Sequence, residues 1–267
     1  MLDDELRALE RAATDTVGKI RYAEALGRVG RVEDAVRVLA MDTIDPEVRR
    51  AIARLPSSLV PIEHEPRRLW EARLMPHVVG ALEAVSTRLL AGPFTVVAGT
   101  PSMVHVVAAA HGIYWYGFEN HAVVGLVGNV VVSHVNNSKL PKLVGYDFLE
   151  RRELWQLPVT SGPAEIDGHR LIVTHGTGFL ELDLSDPERP PVEIGPSRRS
   201  AIEPRCVTDD LLAGELVYFR QGRHVAARRG GEIAWRVELD DEVVALAACG
   251  RRIYALLGRA SLVCLEA

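Results

Sequence analysis

The chain has 267 residues, of which 48% are hydrophobic and 25% are charged. This balance excludes wholesale disorder and is typical of a globular protein. The formal net charge of -5 gives no basis for a sequence-independent phosphate-binding surface, so no nucleic-acid partner is expected. No apolar run approaches the roughly 20 residues of a membrane-spanning helix, and the acidic start Asp3-Asp4-Glu5 is unlike the basic start of a signal peptide, so no membrane partner is expected.

Residues 1–56 predict four short helices. Leu2, Leu6 and Leu9 follow each other at spacings of four and three, which places them on one helical face. Thr14-Asp15-Thr16 can cap a second helix, and a third short helix follows Gly30. Asp45-Pro46-Glu47 is typical of a helix start, with an acceptor at the cap, proline at the first position and an acid in the first turn.

Small and apolar residues recur through this segment in two matching units, in which Arg21 and Arg49 hold equivalent places. The recurring residues are Ile20-Arg21, Ala23, Ala25-Leu26-Gly27, Val29-Gly30, Ala35, Leu39, Asp45-Pro46-Glu47-Val48-Arg49, Ala51, Ala53 and Leu55. The pattern resembles the short HEAT-type helical repeat, which implies stacked helix pairs that present a surface to another macromolecule. Two units are fewer than the three or so that stand alone, so we expect this module to dock on the rest of the chain or on a partner. A helical cap without a binding role is the alternative.

After a linker at 57–66, residues 67–267 read as short strands. Apolar β-branched runs such as Val130-Val131-Val132 and Leu171-Ile172-Val173 are bounded by glycine, asparagine or aspartate turn signals. Many short strands at a spacing of about ten residues favour an antiparallel sandwich, barrel or propeller.

The four tryptophans favour the propeller. Trp70, Trp115, Trp155 and Trp235 are separated by 45, 40 and 80 residues, so one unit of about 40 residues accounts for all of them. A repeat of this length holding four strands is typical of a propeller blade. The unit near residue 195 lacks its tryptophan, and Val192-Glu193-Ile194 would occupy the place.

Sequence flanking the tryptophans repeats as well. Arg152-Glu153-Leu154-Trp155 and Gly231-Glu232-Ile233-Ala234-Trp235 are versions of one motif, and an apolar strand ending in an acid precedes it, as in Val144-Gly145-Tyr146-Asp147. These units resemble the repeats of quinoprotein-like (PQQ-type) β-propellers. The resemblance implies blades that pair an aspartate-ended strand with a tryptophan-ended outer strand.

The chain ends predict how the ring closes. The last unit stops at Ala267, where its own outer strand should begin, and the segment 68–74 around Trp70 can supply that strand. We expect it to pair with residues 260–266, because closure removes open sheet edges. The units 76–118, 119–161, 162–199, 200–239 and 240–267 with 67–75 then make five blades. The rival interpretation is an open partial propeller completed by another chain.

Catalytic motifs are scarce, so an enzyme is not favoured. The chain has no Walker-type glycine loop, no dinucleotide fingerprint and no GxSxG motif. Cys206, Cys249 and Cys264 are far apart in sequence, which excludes a zinc ribbon, and we expect buried free thiols in a reducing cytoplasm. No quinone or other cofactor is expected, and no metal site is assigned to the histidines between His105 and His175.

Carboxylates leave one enzymatic alternative open. Acids near predicted inner strands, among them Glu165, Asp167 and Asp210, could act as acid and base on a glycosidic bond or bind a glycan at the central channel. Turn aspartates that cap and solvate loops are the competing explanation.

Propellers usually bind through the loops between blades and the loops between the second and third strands. Long loops more often carry function than scaffold, and Asn136 to Pro141 is the longest of the second-to-third-strand loops. These considerations predict a protein-interaction scaffold of a bacterial signalling, ATPase-associated or defence assembly. The predicted binding residues are His77, Glu119, Asn120, His121, Asn136, Asn137, Lys139, His175, Arg198, Arg199, Asp240 and Asp241.

Overall fold

A computed structural model describes residues 2–56, 59–74, 88–99, 103–135, 141–159, 164–167, 169–175, 178–186, 189–197 and 210–267. Within these ranges the fold is mainly β, and the helices all lie in the amino-terminal segment. The helices are α1 (Leu2–Ala12), α2 (Thr16–Arg28), α3 (Val32–Leu39) and α4 (Pro46–Arg54), with a 3-10 turn at Ala40–Asp42. No helix in these ranges is long and apolar enough to cross a bilayer.

Both predicted helix caps are present. The Asp15 carboxylate accepts a hydrogen bond from the backbone N–H of Gly18 at 2.7 Å and begins α2. The Asp45 carboxylate accepts one from the N–H of Glu47 at 2.8 Å, and Pro46 occupies the first position of α4. Each cap satisfies one of the backbone donors that the first turn of a helix leaves unpaired.

In the described part of the chain, twenty strands form five four-stranded antiparallel sheets. The first sheet contains β2 (Arg88–Ala91), β3 (Thr95–Gly99), β4 (Met103–Ala108) and β5 (Tyr114–Glu119). The second contains β6 (His121–Val127), β7 (Val130–Val135), β8 (Lys142–Asp147) and β9 (Arg152–Pro158). The third contains β10 (Ala164–Asp167), β11 (Arg170–His175), β12 (Gly178–Asp183) and β13 (Val192–Ser197). The fourth contains β14 (Leu211–Ala213), β15 (Leu216–Gln221), β16 (His224–Arg229) and β17 (Glu232–Glu238). The fifth contains β18 (Val243–Cys249), β19 (Arg252–Leu257), β20 (Ser261–Glu266) and β1 (Arg67–Arg73).

The strands of each sheet follow one another in chain order, as in propeller blades. The fifth sheet is the exception, because β1 takes its outermost place. The predicted pairing is observed: Trp70 lies opposite Cys264 and Arg73 lies opposite Ser261. The two ends of the chain therefore meet in one sheet.

First strands make most of the contacts between sheets, so they lie innermost. Such contacts join the fourth sheet to the fifth, the fifth to the first, the first to the second and the second to the third. No contact of comparable extent joins the third and fourth sheets among the described residues. The closed ring that the sequence predicts is therefore not formed in this part of the chain, and the connecting segment 198–209 lies outside it.

Every outer strand carries a β-bulge at the same place. The extra residues are Leu69, Trp115, Leu154, Ile194 and Ala234. The residue after the bulge is Trp70, Trp155 or Trp235 in three sheets. In the first sheet it is Tyr116 rather than Trp115, and in the third sheet it is Gly195. In these two sheets, the repeated position is therefore one residue later in the sequence than predicted.

The helical segment packs on the sheets instead of projecting from them. Its apolar core includes Leu26, Leu39 and Ile52 and extends to Phe94 of the first sheet. The Arg49 guanidinium, only 7% exposed, forms an ion pair with Glu150 of the second sheet. At the fifth sheet, the Glu33 carboxylate accepts a hydrogen bond from the N–H of Arg251 at 2.8 Å. Three sheets therefore hold the helices.

Candidate functional site

Strand order divides the turns between two faces. Turns between first and second strands, and between third and fourth strands, lie at one end of each sheet, and all helical contacts described above are made there. We call this end the helix-bound face. Turns between second and third strands, and connections from one sheet to the next, lie at the opposite end, which we call the helix-distal face. The predicted binding residues that the structure describes lie in or beside connections of the helix-distal face.

Six of the predicted residues lie outside the described ranges. They are His77, Asn136, Asn137, Lys139, Arg198 and Arg199. Their proposed roles in binding therefore stay predictions.

The predicted group Glu119, Asn120 and His121 forms the short connection between the first and second sheets. Glu119 ends β5, His121 begins β6, and Asn120 alone makes the turn with φ 61°. Glu119 and Asn120 are exposed. His121 lies in a strand, not in a loop, and its Nδ1 is 2.8 Å from the Ser133 hydroxyl oxygen. Burial lowers the pKa of His121, with a further lowering by Lys142 that Glu153 opposes, so the imidazole is held neutral near pH 7.

His175 ends β11 and pairs with Gly178, the first residue of β12. The part of His175 in binding stays a prediction.

Asp240 and Asp241 are brought together with residues from two other elements. The connection from β17 to β18 carries both aspartates, and it borders a groove of about 600 Å³ on the helix-distal face. The groove is also lined by Glu71 and Arg73 of β1 and by Arg259 and Ser261 at the start of β20. Because β1 pairs with β20, these charged side chains meet across three separate parts of the sequence.

Ion pairs hold one wall of the groove in place. The Arg68 guanidinium lies 2.8 Å from the Asp240 carboxylate and also pairs with Glu71. The Asp241 carboxylate accepts a hydrogen bond from the backbone N–H of Arg259 at 2.8 Å. Asp241 therefore fixes the β19–β20 turn, whereas Asp240 is exposed and offers its carboxylate to solvent.

Among the described residues that line the groove, Arg73 is a cation without an ion-pair partner. Its side chain is exposed, and none of the described residues forms an ion pair or hydrogen bond with its guanidinium. Arg259 is also highly exposed, with its Nε 3.7 Å from Asp241. The groove therefore presents two reachable guanidinium groups beside a reachable carboxylate, a mixed-charge lining suited to a polar protein surface.

The innermost strands bear on the glycoside-hydrolase alternative. Within their described residues, carboxylates occur only at Glu165 and Asp167, two places apart on the same strand β10. An acid–base pair that acts on a glycosidic bond must flank the bond from two sides. Glu165 and Asp167 share one strand face, so they do not provide this arrangement.

The described residues of the innermost strands also lack the several cations that a quinone cofactor with several carboxylates would need. Arg88 is the only Lys or Arg on their described residues, and its guanidinium donates to the carbonyl of Val124 at 3.3 Å.

Cys249 and Cys264 are buried free thiols, and burial raises the pKa of each to about 12. Thiols with such pKa values are protonated and unreactive near pH 7. No group of three or more His, Cys, Asp and Glu side chains in the described ranges could hold a metal ion.

Sequence reasoning missed Arg73 and Arg259 as groove residues. A signal was available, because the predicted pairing of segment 68–74 with residues 260–266 already brings Arg73 beside Ser261. The same pairing brings the charged ends of the two strands together, and a charged groove beside Asp240 follows from it.

Comparison with protein-family models finds no match, and comparison with curated proteins finds none either. Among solved structures, the chain is similar to BamB from Moraxella catarrhalis, with 15% identity, 67% of this chain covered and a TM-score of 0.28. It spans 58% of the length of BamB. It is also similar to the RRP9 WD40 repeats, with 10% identity, coverage of 70% of this chain and 98% of that one, and a TM-score of 0.44. A chain of a mitotic checkpoint complex matches at 10% identity, coverage of 79% and 96%, and a TM-score of 0.39. The propeller-type arrangement rests on the five sheets themselves, because likenesses this distant add nothing to it.

Proposed function

We propose that this chain is a non-catalytic scaffold that binds a protein partner through its helix-distal face. The observation that carries this proposal is the difference between the two faces, of which one is covered by helices and the other carries the charged groove. The helices occupy one face and are held by Arg49, Glu33 and an apolar core. The opposite face presents the groove with Arg73, Arg259 and Asp240 at its rim.

Charge and rigidity both support a protein partner. Arg is enriched in protein interfaces, where its planar guanidinium makes several hydrogen bonds at once. Here Arg73 and Arg259 stand on a sheet and a tight turn, so little ordering is needed when a partner binds. The bound partner would present a carboxylate to the arginines and a donor to Asp240.

The finer features of the proposal concern family and setting. We infer that the sheets are blades of one five-bladed propeller of the PQQ-like type and that the helices are a divergent HEAT-like pair. We place the protein in the cytoplasm of a bacterium, within a signalling, ATPase-associated or defence assembly. The buried free thiols support a reducing compartment.

Affinity purification from the native host tests this function. The full chain is compared with a double variant, Arg73→Glu with Arg259→Glu, which reverses the charge of the groove. We expect a stoichiometric partner with the unaltered chain and at least a tenfold loss of that partner with the double variant.

The matched control reverses an exposed cation elsewhere. Arg37 of α3 is exposed to a similar degree, so Arg37→Glu should retain the partner. Loss of the partner with Arg37→Glu, or its retention with the double variant, would contradict binding through the helix-distal groove.

A further inference from the structure

Two large apolar side chains stand almost fully in solvent just ahead of α4. Met41 and Ile44, in the connection from α3, are 87% and 89% exposed, and we call them the apolar tip. The backbone of this connection is held in place, because the buried Arg49 donates to the carbonyl of Ile44 at 3.3 Å and the Asp45 carboxylate caps α4. Side chains on such a preorganised loop lose little freedom when a partner buries them.

An apolar groove of about 280 Å³ lies at the other end of the same helix, and we call it the α4 groove. It is lined by Leu55 and Pro56, which follow α4, by Pro93 of the β2–β3 turn and by Leu126 at the end of β6. Arg54 of the last helical turn also lines it. Small-molecule pockets usually measure roughly 300–1,000 Å³, so this smaller groove is better suited to one or two apolar side chains.

The solvent-facing side of α4 carries opposite charges at its two ends. Glu47 in the first turn and Arg54 in the last are both exposed, and residues seven apart lie on one helical face. Glu47 pairs with Arg50 and Arg54 pairs with Glu24. Exposed pairs of this kind contribute little to stability, so both charged groups remain able to contact another molecule.

We propose that two copies of this chain associate through antiparallel packing of their α4 helices about a two-fold axis. The antiparallel arrangement places the start of each helix beside the end of the other. The apolar tip of each copy then enters the α4 groove of the other copy, and Glu47 of each lies opposite Arg54 of the other. A two-fold contact requires a surface that is complementary to itself, and α4 with its two flanking features meets this requirement.

The dimer uses a different face from the proposed scaffold function. Its contacts lie on the helix-bound face, whereas the groove at Arg73 and Arg259 lies on the helix-distal face, so either proposal can fail alone. Two short helices and four inserted side chains make a small interface, which is typical of weak association. The dimer is therefore expected to dissociate on dilution.

Sedimentation equilibrium of the full chain at concentrations of about 5–200 µM measures this association. We expect a monomer–dimer equilibrium. Ile44→Asp places a charge on the apolar tip, so it should raise the dissociation constant at least tenfold, because a charge is costly to bury. Leu212→Asp, which alters another exposed apolar side chain on the fourth sheet, should leave the dissociation constant unchanged.

Charge reversal tests the direction of packing. Glu47→Arg and Arg54→Glu each place like charges opposite one another in a dimer of that variant, so each should weaken the dimer at least tenfold. A mixture of the two variants restores opposite charges at both contacts, so a mixed dimer should form about as tightly as the unaltered one. Arg223→Glu is the matched control, because Arg223 is exposed to the same degree as Arg54 and forms an exposed pair on the helix-distal face.

These measurements can overturn the proposal. A chain that stays monomeric over the whole range, or association that continues beyond the dimer, would contradict a two-fold pair. Dimerisation that Ile44→Asp does not weaken, or two charge variants that form no mixed dimer, would contradict antiparallel packing through α4. If a charge variant fails to fold, Ile44→Asp decides, because its side chain is already in solvent.

Discussion

The junction between the fourth and fifth sheets and the connection between the third and fourth sheets differ in the residue that follows the outer-strand bulge, which is Trp235 in the fourth sheet and Gly195 in the third. At the first, Trp235 is buried, packs against Tyr218 with 5.7 Å between ring centroids and donates to the carbonyl of Ile62. The Tyr218 hydroxyl in turn accepts from the N–H of Ile62 at 2.7 Å. At the second, Gly195 holds the equivalent place, and the described residues of the third and fourth sheets make no contact of comparable extent.

This difference shows what joins one sheet to the next. Backbone ladders hold the strands inside each sheet, whereas a side chain joins the fourth sheet to the segment ahead of β1. There a single buried indole donates to a carbonyl outside its own sheet.

The largest expected effect comes from removing the indole at the closed junction. Trp235→Ala should lower the free energy of unfolding by about 3–5 kcal/mol, as for other large-to-small core substitutions. Urea denaturation followed by circular dichroism measures the loss. Trp235→Phe keeps the ring buried but loses the Nε1 donor, so about 1 kcal/mol is expected. A loss below about 1 kcal/mol for Trp235→Ala would mean that the indole does not close this junction.

A second prediction concerns the contact between helices and sheets. Arg49 is buried, pairs with Glu150, and donates to the carbonyl of Ile44 at 3.3 Å. Arg49→Ala leaves Glu150 without this partner, so we expect a loss of about 3 kcal/mol and faster amide hydrogen exchange in α4. The neighbouring Arg50 forms an exposed pair with Glu47 on the same helix, so Arg50→Ala should cost less than about 0.5 kcal/mol. Equal losses would show that the Arg49 pair does not anchor the helices.

Acid should lower the free energy of unfolding through three buried or partly buried histidines. Burial lowers the pKa values of His105 and His134, and burial together with Lys142 lowers that of His121. All three lie in the first two sheets. Their folded-state pKa values lie below the unfolded value of about 6.5, so the unfolded chain binds more protons as the pH falls. Stability is therefore complete above about pH 6.5 and declines below it, toward the lowered folded pKa values.

His105→Gln tests this pH dependence at the most buried of the three. The variant cannot titrate, so the decline in the free energy of unfolding between about pH 6.5 and about pH 5 should become shallower, by up to about 1.4 kcal/mol per pH unit. Denaturation at several pH values gives the slope. An unchanged slope with His105→Gln would mean that folding does not lower the pKa of this imidazole.

Much of the fold was predictable because its signals are local. Helix caps at Asp15 and Asp45, alternating strands and the tryptophan spacing each depend on a few neighbouring residues. The pairing of β1 with β20 could also be inferred, since the repeat lacked one strand and only the segment around Trp70 could supply it. The sequence left the closed ring and the open partial propeller as alternatives, because a tryptophan missing from a repeat does not by itself reveal which contact between sheets is lost.

The candidate site was less predictable for a physical reason. Charged residues at strand ends carry no periodic signal, so Asp240 and Asp241 could be proposed only from their connection. Arg73 and Arg259 line the same groove only because β1 pairs with β20. The structural role of Asp241, which holds the N–H of Arg259, depends on a contact between residues 18 positions apart that no local pattern encodes.

The smallest expected effect comes from truncating the bulge residue of the third sheet, and the bulge residue of the second sheet provides the comparison. Ile194 of the third sheet is exposed, whereas Leu154 of the second is partly buried and packs against the apolar core of its sheet. Ile194→Ala should change the free energy of unfolding by less than about 0.5 kcal/mol, as for other surface substitutions. Leu154→Ala removes partly buried apolar surface and should cost about 1–2 kcal/mol. Urea denaturation of the two variants gives both values. If Ile194→Ala cost as much as Leu154→Ala, the Ile194 side chain would be packed in solution and not exposed as the structure shows it.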